Sequence, residues 1–486
     1  MGFKNEPTSK FGHSDLVKNP EFHQFLEECE PVRLPDDAEH QTILDRFQSY
    51  PAPPPAPQHR PPAHIVALDG SPYVSQVKDN FPSIQVLYLR VASVLVDIGL
   101  IQQIRDEPRR TIDPTRMNKI REEENAVTFW FPGANITMKG HASPKSSFRR
   151  RLYENFLQEA TKLDGRYLLD ALYDGCRLRQ ESRTKDSSEE DVYDEEHNAV
   201  IIYKCPNEGC KSPDLRDTPV RIPRSDESVP CPSCHGPLYA TDLLRLHEAF
   251  QDHQDNQGVL SRASLAVEHL MLLHYLQYID RFAPNAISDL GFVMDGGLAI
   301  FGESAKFHRA IMAQVAKSTR HCLDHNLKPP VIFGLQKRGE VLDFARNLDL
   351  RRVADKQIPK GSFLIVDDKL RYTFVSPRPE KFRDTAYGEE TYYGQDIIVK
   401  THAGRVFALN LAYPFASKSK KSGYEKRFEA ASYPQLMRTL ATLELVQSGL
   451  YGDSSVPQML AHRYASISHV PGGRILDVLA RRALQD

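Results

Sequence analysis

Near the middle of the chain, apolar and polar positions predict one long helix followed by a short buried strand. In the segment 261–282 (SRASLAVEHLMLLHYLQYIDRF), apolar side chains recur at helical spacing: Leu265, Leu272, Tyr275, Leu276 and Ile279. Glu268 lies among these positions. The next apolar run, LGFVMDGG, predicts a strand that ends in Asp295 and two glycines. The pattern therefore predicts a helical carboxylate shortly before a carboxylate at a strand end.

A similar run lies far upstream and predicts a second strand of the same kind. This run, HIVALDGS, is expected to end at Asp69 and Gly70. Pro82, after Asp79 and Asn80, suits the start of a helix, and the segment 84–104 has apolar positions at helical spacing. Strand, loop and helix in this order predict an α/β layer architecture.

Further buried strands and helices are predicted in the second half of the chain. One strand is expected to end near Lys337, and a helical C-terminal region is expected to carry His462. The other strand candidates are SFLIVD at 362–367, QDIIVK at 395–400 and RVFALNLAYP at 405–414.

The patterns divide the chain into four parts. Residues 1–60 form an N-terminal arm with a Pro-rich linker, whose run PAPPPAPQHRPP predicts a stiff extended spacer or a docking segment for a Pro-recognising partner. Residues 61–104 form the first part of the core, 105–260 an insertion, and 261–486 the second part of the core with C-terminal helices. The insertion includes AVTFWF, a helix that opens on three arginines, and an acidic run typical of a solvated loop.

Four cysteines within the insertion have the spacing of a metal site. The pairs C-x4-C and C-x2-C are formed by Cys205, Cys210, Cys231 and Cys234. Four thiolates from two tight turns satisfy tetrahedral zinc and leave no open position, so the expected zinc is structural. We therefore predict a zinc ribbon at about 198–240.

Composition excludes several classes of protein. The 486 residues are 40% hydrophobic with a net charge of −2, so no global basic field indicates nucleic acid, and any such partner would be held by local patches. Seven cysteines, four of them clustered, favour a reduced chain with a metal site over a disulfide framework. The first residues lack the apolar region of a signal peptide, and the run VASVLVDIGLI is too short for a membrane span. The expectation is a soluble cytoplasmic protein.

Three carboxylates could meet at one point if the two predicted strands are neighbours. Asp69, Glu268 and Asp295 would then offer the oxygen ligands that Mn²⁺ and Mg²⁺ prefer. A pair of such ions could activate a water and stabilise the leaving oxygen of a phosphodiester. Lys337 could neutralise phosphate charge, and His462 could orient water or assist proton transfer. Taken singly, an Asp-Gly pair of this kind is more often a turn than a ligand, a helical glutamate more often a surface residue and a strand-end lysine more often solvated, and His462 is also consistent with a satisfied helix histidine.

The ordered set of motifs resembles the NurA nuclease family. The motifs are VALDGS, the helical Glu, FVMDGGL, FGLQKRG, RVFALNLAYP and VPQMLAHRYA. The resemblance covers about 61–104 and 261–486 and implies an α/β fold with a ribonuclease H-like nuclease core, a mixed sheet flanked by helices. It implies metal-binding roles for Asp69, Glu268 and Asp295 and active-site roles for Lys337 and His462. A family tyrosine would be Tyr372 or Tyr393.

The resemblance also implies an activity and partners. It implies a Mn²⁺- or Mg²⁺-dependent DNA exonuclease and single-strand endonuclease, a homodimer that docks on a hexameric HerA-type ATPase in DNA end processing or antiphage defence. The zinc-ribbon-containing insertion and the Pro-rich arm lie outside the family pattern. Two alternatives stay open: a catalytically silent docking or DNA-binding subunit, and a zinc-ribbon nucleic-acid-binding regulator. Candidate DNA patches are 149–151, 306–320 and 418–427.

Overall fold

A nine-stranded mixed sheet is the centre of the structure, a computed structural model. It describes residues 17–29, 32–78, 81–106, 111–112, 122–182, 190–350, 356–377, 386–447, 455–467 and 472–484. The strands of this sheet are β1 (Gln48–Ser49), β2 (His64–Lys78), β3 (Phe81–Asp97), β4 (Glu122–Pro132), β5 (Leu290–Asp295), β6 (Val331–Gln336), β7 (Ser362–Ile365), β8 (Gly394–Lys400) and β9 (Val406–Ala412).

The helices that flank this sheet complete the predicted α/β class. The longer ones are α1 (Pro20–Glu28), α2 (Asp37–Leu44), α3 (Ile98–Ile104), α4 (Pro144–Asn155), α5 (Leu168–Glu181), α6 (Gln257–Phe282), α7 (His308–Asp324), α8 (Glu340–Leu350), α9 (Leu436–Val446), α10 (Val456–Ala465) and α11 (Gly472–Leu484). Helices α6 and α10 pack on β2 and β3, and α8 packs on β9. None of the helices in the described ranges has both the length and the apolar character needed to cross a membrane.

The sheet order is β1-β7-β8-β9-β6-β5-β2-β3-β4, and its middle is parallel. Strand β5 pairs in parallel with both β2 and β6, while the other neighbours pair antiparallel. The strands predicted near Asp69, Asp295 and Lys337 are therefore three adjacent strands of one sheet.

The helix predicted over 84–104 is wrong, because most of this segment is strand β3. The strand is buried, with Leu87, Val91 and Val94 fully inaccessible. A nearly continuous apolar run of this kind fits either structure, so periodicity alone does not separate them. The segment forms a strand rather than a helix because it pairs along almost its whole length with β2 on one side and β4 on the other. Residues 79–80 lie outside the described ranges.

Strand β2 also differs from the prediction, because it does not end at Asp69 and Gly70. It continues to Lys78 and stays paired with β3, with one irregularity between Gln76 and Lys78. Gly70 is therefore a strand residue, and a glycine occupies this position because α6 packs closely against it.

The segment 105–260 contributes to the main sheet as well as forming a separate module. Strand β4, within the predicted insertion, pairs with β3 over eleven positions. The cysteine module (residues 193–238) follows and has a three-stranded sheet (Tyr193–Asp194, Ala199–Ile202, Val220–Pro223) and a small hairpin (Val229–Pro230, Pro237–Leu238). Its buried residues, including Cys205 and Cys231, belong to the same hydrophobic cluster as the sheet.

The Pro-rich segment packs on the core, contrary to a spacer that holds an arm away from it. Pro62 is buried, and the carbonyl of Arg60 accepts a hydrogen bond of 2.8 Å from the buried Arg438. Before it, β1 joins the sheet edge, and Ile43 and Leu44 of α2 are buried in a second hydrophobic cluster with α8. No residue of helix α1 is buried.

Candidate metal centre and cleft

The register of the parallel strands brings Asp69 and Asp295 together. Leu68 of β2 is paired with Met294 of β5, so the next residue of each strand is an aspartate at an equivalent position. Neighbouring strands lie about 4.8 Å apart, and equivalent positions face the same side. The two carboxylates therefore share one face at the middle of the sheet.

Glu268 joins these aspartates from α6, and Gly70 makes its approach possible. A Cβ atom on Gly70 would lie 2.2 Å from Glu268 Oε1 and 2.3 Å from Ser264 Oγ. Only a residue without a side chain fits there, which explains a glycine inside a strand. The Ser264 hydroxyl donates a 2.7 Å hydrogen bond to Glu268 Oε1 and fixes the carboxyl.

Lys337 and His462 each contact one of the two aspartates. Lys337, just after β6, donates from Nζ to Asp295 Oδ2 over 2.6 Å. The His462 ring, on α10, has Nδ1 at 2.7 Å from Asp69 Oδ2, and its side chain is 55% exposed. Gln458, one turn earlier on α10, donates to the carbonyl of Met294 and ties this helix to β5. The structure thus brings all five predicted site residues to one place.

Crowding of carboxyls in a buried place dominates the electrostatics. Burial raises the pKa of Glu268 to about 8, and the negative charges of Asp69 and Asp295 add to this. Burial and the charge of Asp69 raise the pKa of Asp295, although Lys337 opposes the shift. The hydrogen bond to Asp69 raises the pKa of His462. Additional positive charge, beyond that of Lys337, would therefore stabilise the ionised carboxylates of this cluster.

The donor set fits a divalent cation. Ligand atoms of Asp69, Asp295 and His462 all lie within 4.8 Å of one another. Around an ion with bonds of about 2.1 Å, ligand atoms lie at most about 4.2 Å apart, so small side-chain movements suffice. The protonated Glu268 carboxyl would become a further oxygen ligand when a cation displaces its proton.

An open cleft of about 810 Å³ lies over Asp295, Lys337 and His462. Its wall includes side chains that the sequence did not single out. Phe301, Arg371, Tyr387, Tyr392 and Asp396 come from other segments of the chain, whereas Gln336, Arg338 and Glu340 are close neighbours of Lys337 in the chain. The buried ion pair of Arg371 and Asp396 is extended by hydrogen bonds to Asp396 Oδ1 from Gln336 (2.9 Å) and Asn410 (2.7 Å).

Neither candidate tyrosine is among the residues that line the cleft. Tyr372 is 3% exposed, and Tyr393 is fully buried with its hydroxyl 2.5 Å from His269 Nδ1. Tyr387 and Tyr392 line the cleft instead. Tyr393 is nevertheless close enough to Glu268 for that charge to contribute to its raised pKa, after burial.

The four predicted cysteines converge and could bind a metal such as zinc. Their sulfur atoms lie within 4.8 Å of one another, with Cys205 and Cys234 at 3.7 Å and Cys210 and Cys231 at 4.0 Å. Zn–S bonds of about 2.3 Å in a tetrahedron place sulfurs about 3.8 Å apart, so the geometry matches. The Asn207 backbone N–H donates to Cys205 Sγ over 3.4 Å.

The predicted patch 149–151 contains a residue that cannot grip DNA. Arg149 is 2% exposed and donates to both carboxylate oxygens of Asp242, and also to Asn207 beside the cysteines. It therefore supports the cysteine module. In the other two patches, Arg309 pairs with Glu390, and Lys418 is half-buried and donates to the carbonyls of Gly388 and Glu389.

Comparison with protein-family models found no matching family, and comparison with curated proteins found no matching relative.

Proposed function

We propose that this protein is a Mn²⁺- or Mg²⁺-dependent deoxyribonuclease that resembles the NurA family. The observation that carries the proposal is the convergence of Asp69, Asp295 and His462 within 4.8 Å, with Glu268 beside them, under an open cleft. Carboxylates that repel one another beside an open cleft favour a divalent cation as their partner. The position of the acids on adjacent strands in the middle of a mixed sheet supports a ribonuclease H-like core.

The chain's own residues have distinct tasks in this proposal. Asp69, Asp295 and Glu268 would hold the cation, which supplies Lewis-acid stabilisation of the phosphate and a more acidic bound water. Lys337 would exchange its contact with Asp295 for a phosphate oxygen and so neutralise charge. His462, exposed and held by Asp69, would position water or carry a proton at Nδ1 or Nε2.

The cysteine module would be a zinc ribbon that stabilises the region beside the main sheet. The matching sulfur separations and the buried Arg149 that connects Asp242 with Asn207 support a structural role. A homodimer and a hexameric HerA-type ATPase remain the partners that the resemblance implies.

The test is hydrolysis of linear duplex and single-stranded DNA by the purified protein, with Mn²⁺, with Mg²⁺ and with EDTA. We expect metal-dependent cleavage that falls at least about 100-fold in Asp69→Ala and Asp295→Ala, because each loses a metal ligand. Asp324→Ala is the control, since Asp324 is exposed at the end of α7, and should cleave at the wild-type rate.

Each outcome separates the candidate functions. Unchanged cleavage in the Asp69 and Asp295 variants would reject the acidic centre as the active site. If DNA is bound but not cleaved, the assay is repeated with a hexameric ATPase of the HerA type. If cleavage is still absent, the remaining candidate is a docking or DNA-binding subunit. If Cys231→Ser loses DNA binding while the Asp69 and Asp295 variants keep it, the result favours a zinc-ribbon regulator.

A further inference from the structure

The wall of the cleft carries one aromatic ring whose exposure the fold does not require. After Asp295 the chain turns through Gly296 and Gly297, and the next three residues, Leu298, Ala299 and Ile300, are all buried. Phe301 follows them, is 50% exposed, and lines the same cleft as Asp295 and His462. A large apolar side chain thus faces solvent six residues after a carboxylate of the metal centre.

The backbone holds Phe301 in a fixed place relative to that centre. The Ile300 N–H donates to the Thr391 carbonyl over 3.0 Å, and Ala299 forms a bridge with Tyr392. The Phe301 ring meets the Tyr392 ring edge-on, with centroids 5.8 Å apart and planes at 83°. Position and orientation are therefore set by packing, while half of the residue's surface stays exposed for another contact.

The cleft that Phe301 lines carries cationic as well as acidic side chains. Lys337 and Arg338 line the cleft, and the Arg262 side chain lies 3.7 Å from where a Cβ on Gly302 would stand. A single exposed aromatic needs no explanation in general. One held in the same cleft as Lys337, Arg338 and a carboxylate of the metal centre combines two features with which proteins bind single strands: cations that contact phosphates and a ring on which a base can stack.

We propose that Phe301 is a nucleobase-stacking residue of the cleft, which would take a strand with an unstacked base close to the scissile phosphate. This inference rests on the nuclease proposed above and adds the residue that selects single-stranded over duplex substrate.

The test measures binding of a single-stranded 12-nucleotide DNA, of the same DNA with an abasic site at successive positions, and of a blunt duplex. Ca²⁺ replaces Mn²⁺ and Mg²⁺ so that binding is observed without turnover. We expect Phe301→Ala to weaken binding of the intact single strand about 5- to 150-fold, the range that loss of one stacked base produces. Phe301→Trp should retain most of the affinity, and Phe301→Leu should not. Phe282→Ala is the matched control, because Phe282 is also 50% exposed but lies at the end of α6, outside the residues that line the cleft.

The abasic series distinguishes stacking from a general loss of structure. If Phe301 stacks on a base, one abasic position weakens wild-type binding and has little further effect in Phe301→Ala. The inference would be overturned if Phe301→Ala, Phe282→Ala and the wild type bound the single strand equally well. It would also be overturned if Phe301→Ala lost as much affinity for every abasic strand as for the intact strand. Cleavage assays with Mn²⁺ separate the two proposals. If the protein cleaves DNA but binding does not depend on Phe301, the nuclease proposal stands and the stacking role is rejected. If binding depends on Phe301 but no DNA is cleaved, the stacking role stands and the nuclease proposal is rejected.

Discussion

At the scale of single residues, the candidate centre is defined by charges that are close together and poorly solvated. Glu268 is buried beside two aspartates, and Lys337 and His462 each contact one of those aspartates. Gly70 is equally important, because any side chain there would collide with the Glu268 carboxyl. The centre therefore depends on a glycine at position 70 as well as on the three acidic residues.

Stability of the metal-free protein should fall as the pH rises between about 4.5 and 8, the interval in which folded Glu268 keeps a proton that the unfolded chain has released. The free energy of unfolding should fall by up to about 1.4 kcal/mol per pH unit in this interval. Glu268→Gln mimics the protonated carboxyl and should remove most of this dependence. Denaturant unfolding in EDTA at several pH values measures it.

The control for this experiment is Glu425→Gln, because Glu425 is exposed. It should follow the wild-type pH profile. A Glu268→Gln profile identical with that of the wild type would show that Glu268 does not hold the proton in the folded state.

At the scale of elements, position depends on partners rather than on local preference. Strand β3 has the spacing of a helix but is paired on both sides. The cysteine module depends in the same way on Arg149 of α4, whose guanidinium reaches Asp242 and Asn207. These elements are stable because of what surrounds them.

The cysteine module should contain about one zinc per chain and unfold without it, because metal binding and folding are coupled in small metal modules. Cys231→Ser should lose the zinc and lower the melting temperature by several degrees, since Cys231 is fully buried in the shared core. Metal analysis and thermal unfolding of freshly purified protein measure both effects. Cys29→Ser should match the wild type, since Cys29 is exposed. Zinc far below one per chain in the wild type would contradict this interpretation.

At the scale of the whole molecule, the sheet and the cysteine module share one hydrophobic cluster, and the net charge is only −2. Because many surface arginines and lysines are already in ion pairs, the molecule has little general attraction for DNA. Binding should then depend on a few phosphate contacts in and near the cleft.

Affinity for single-stranded DNA should therefore weaken with salt, by a factor that corresponds to few contacts. We expect a slope of log K against log salt of about −0.7 for each phosphate contacted. Arg338→Ala should make the slope shallower by about one such contact, because Arg338 is exposed in the cleft. Lys360→Ala, an exposed lysine at the Gly404 turn, should leave the slope unchanged. Fluorescence anisotropy between about 50 and 200 mM salt measures these slopes. An affinity independent of salt would exclude phosphate contacts.

The amino-acid sequence alone determined the α/β class, helix α6, strands β5 and β6 and the spacing of the four cysteines, because these depend on local periodicity and short turns. It also indicated the five candidate residues of the acidic centre, since carboxylates, a lysine and a histidine in or beside apolar runs are visible without a fold. Only the tertiary structure decided that β3 is a strand, that Gly70 makes room for Glu268 and that Arg149 is buried. The same holds for Phe301, Tyr392 and Arg371 on the cleft wall. Each of these outcomes depends on contacts between segments far apart in the chain, which local patterns do not record.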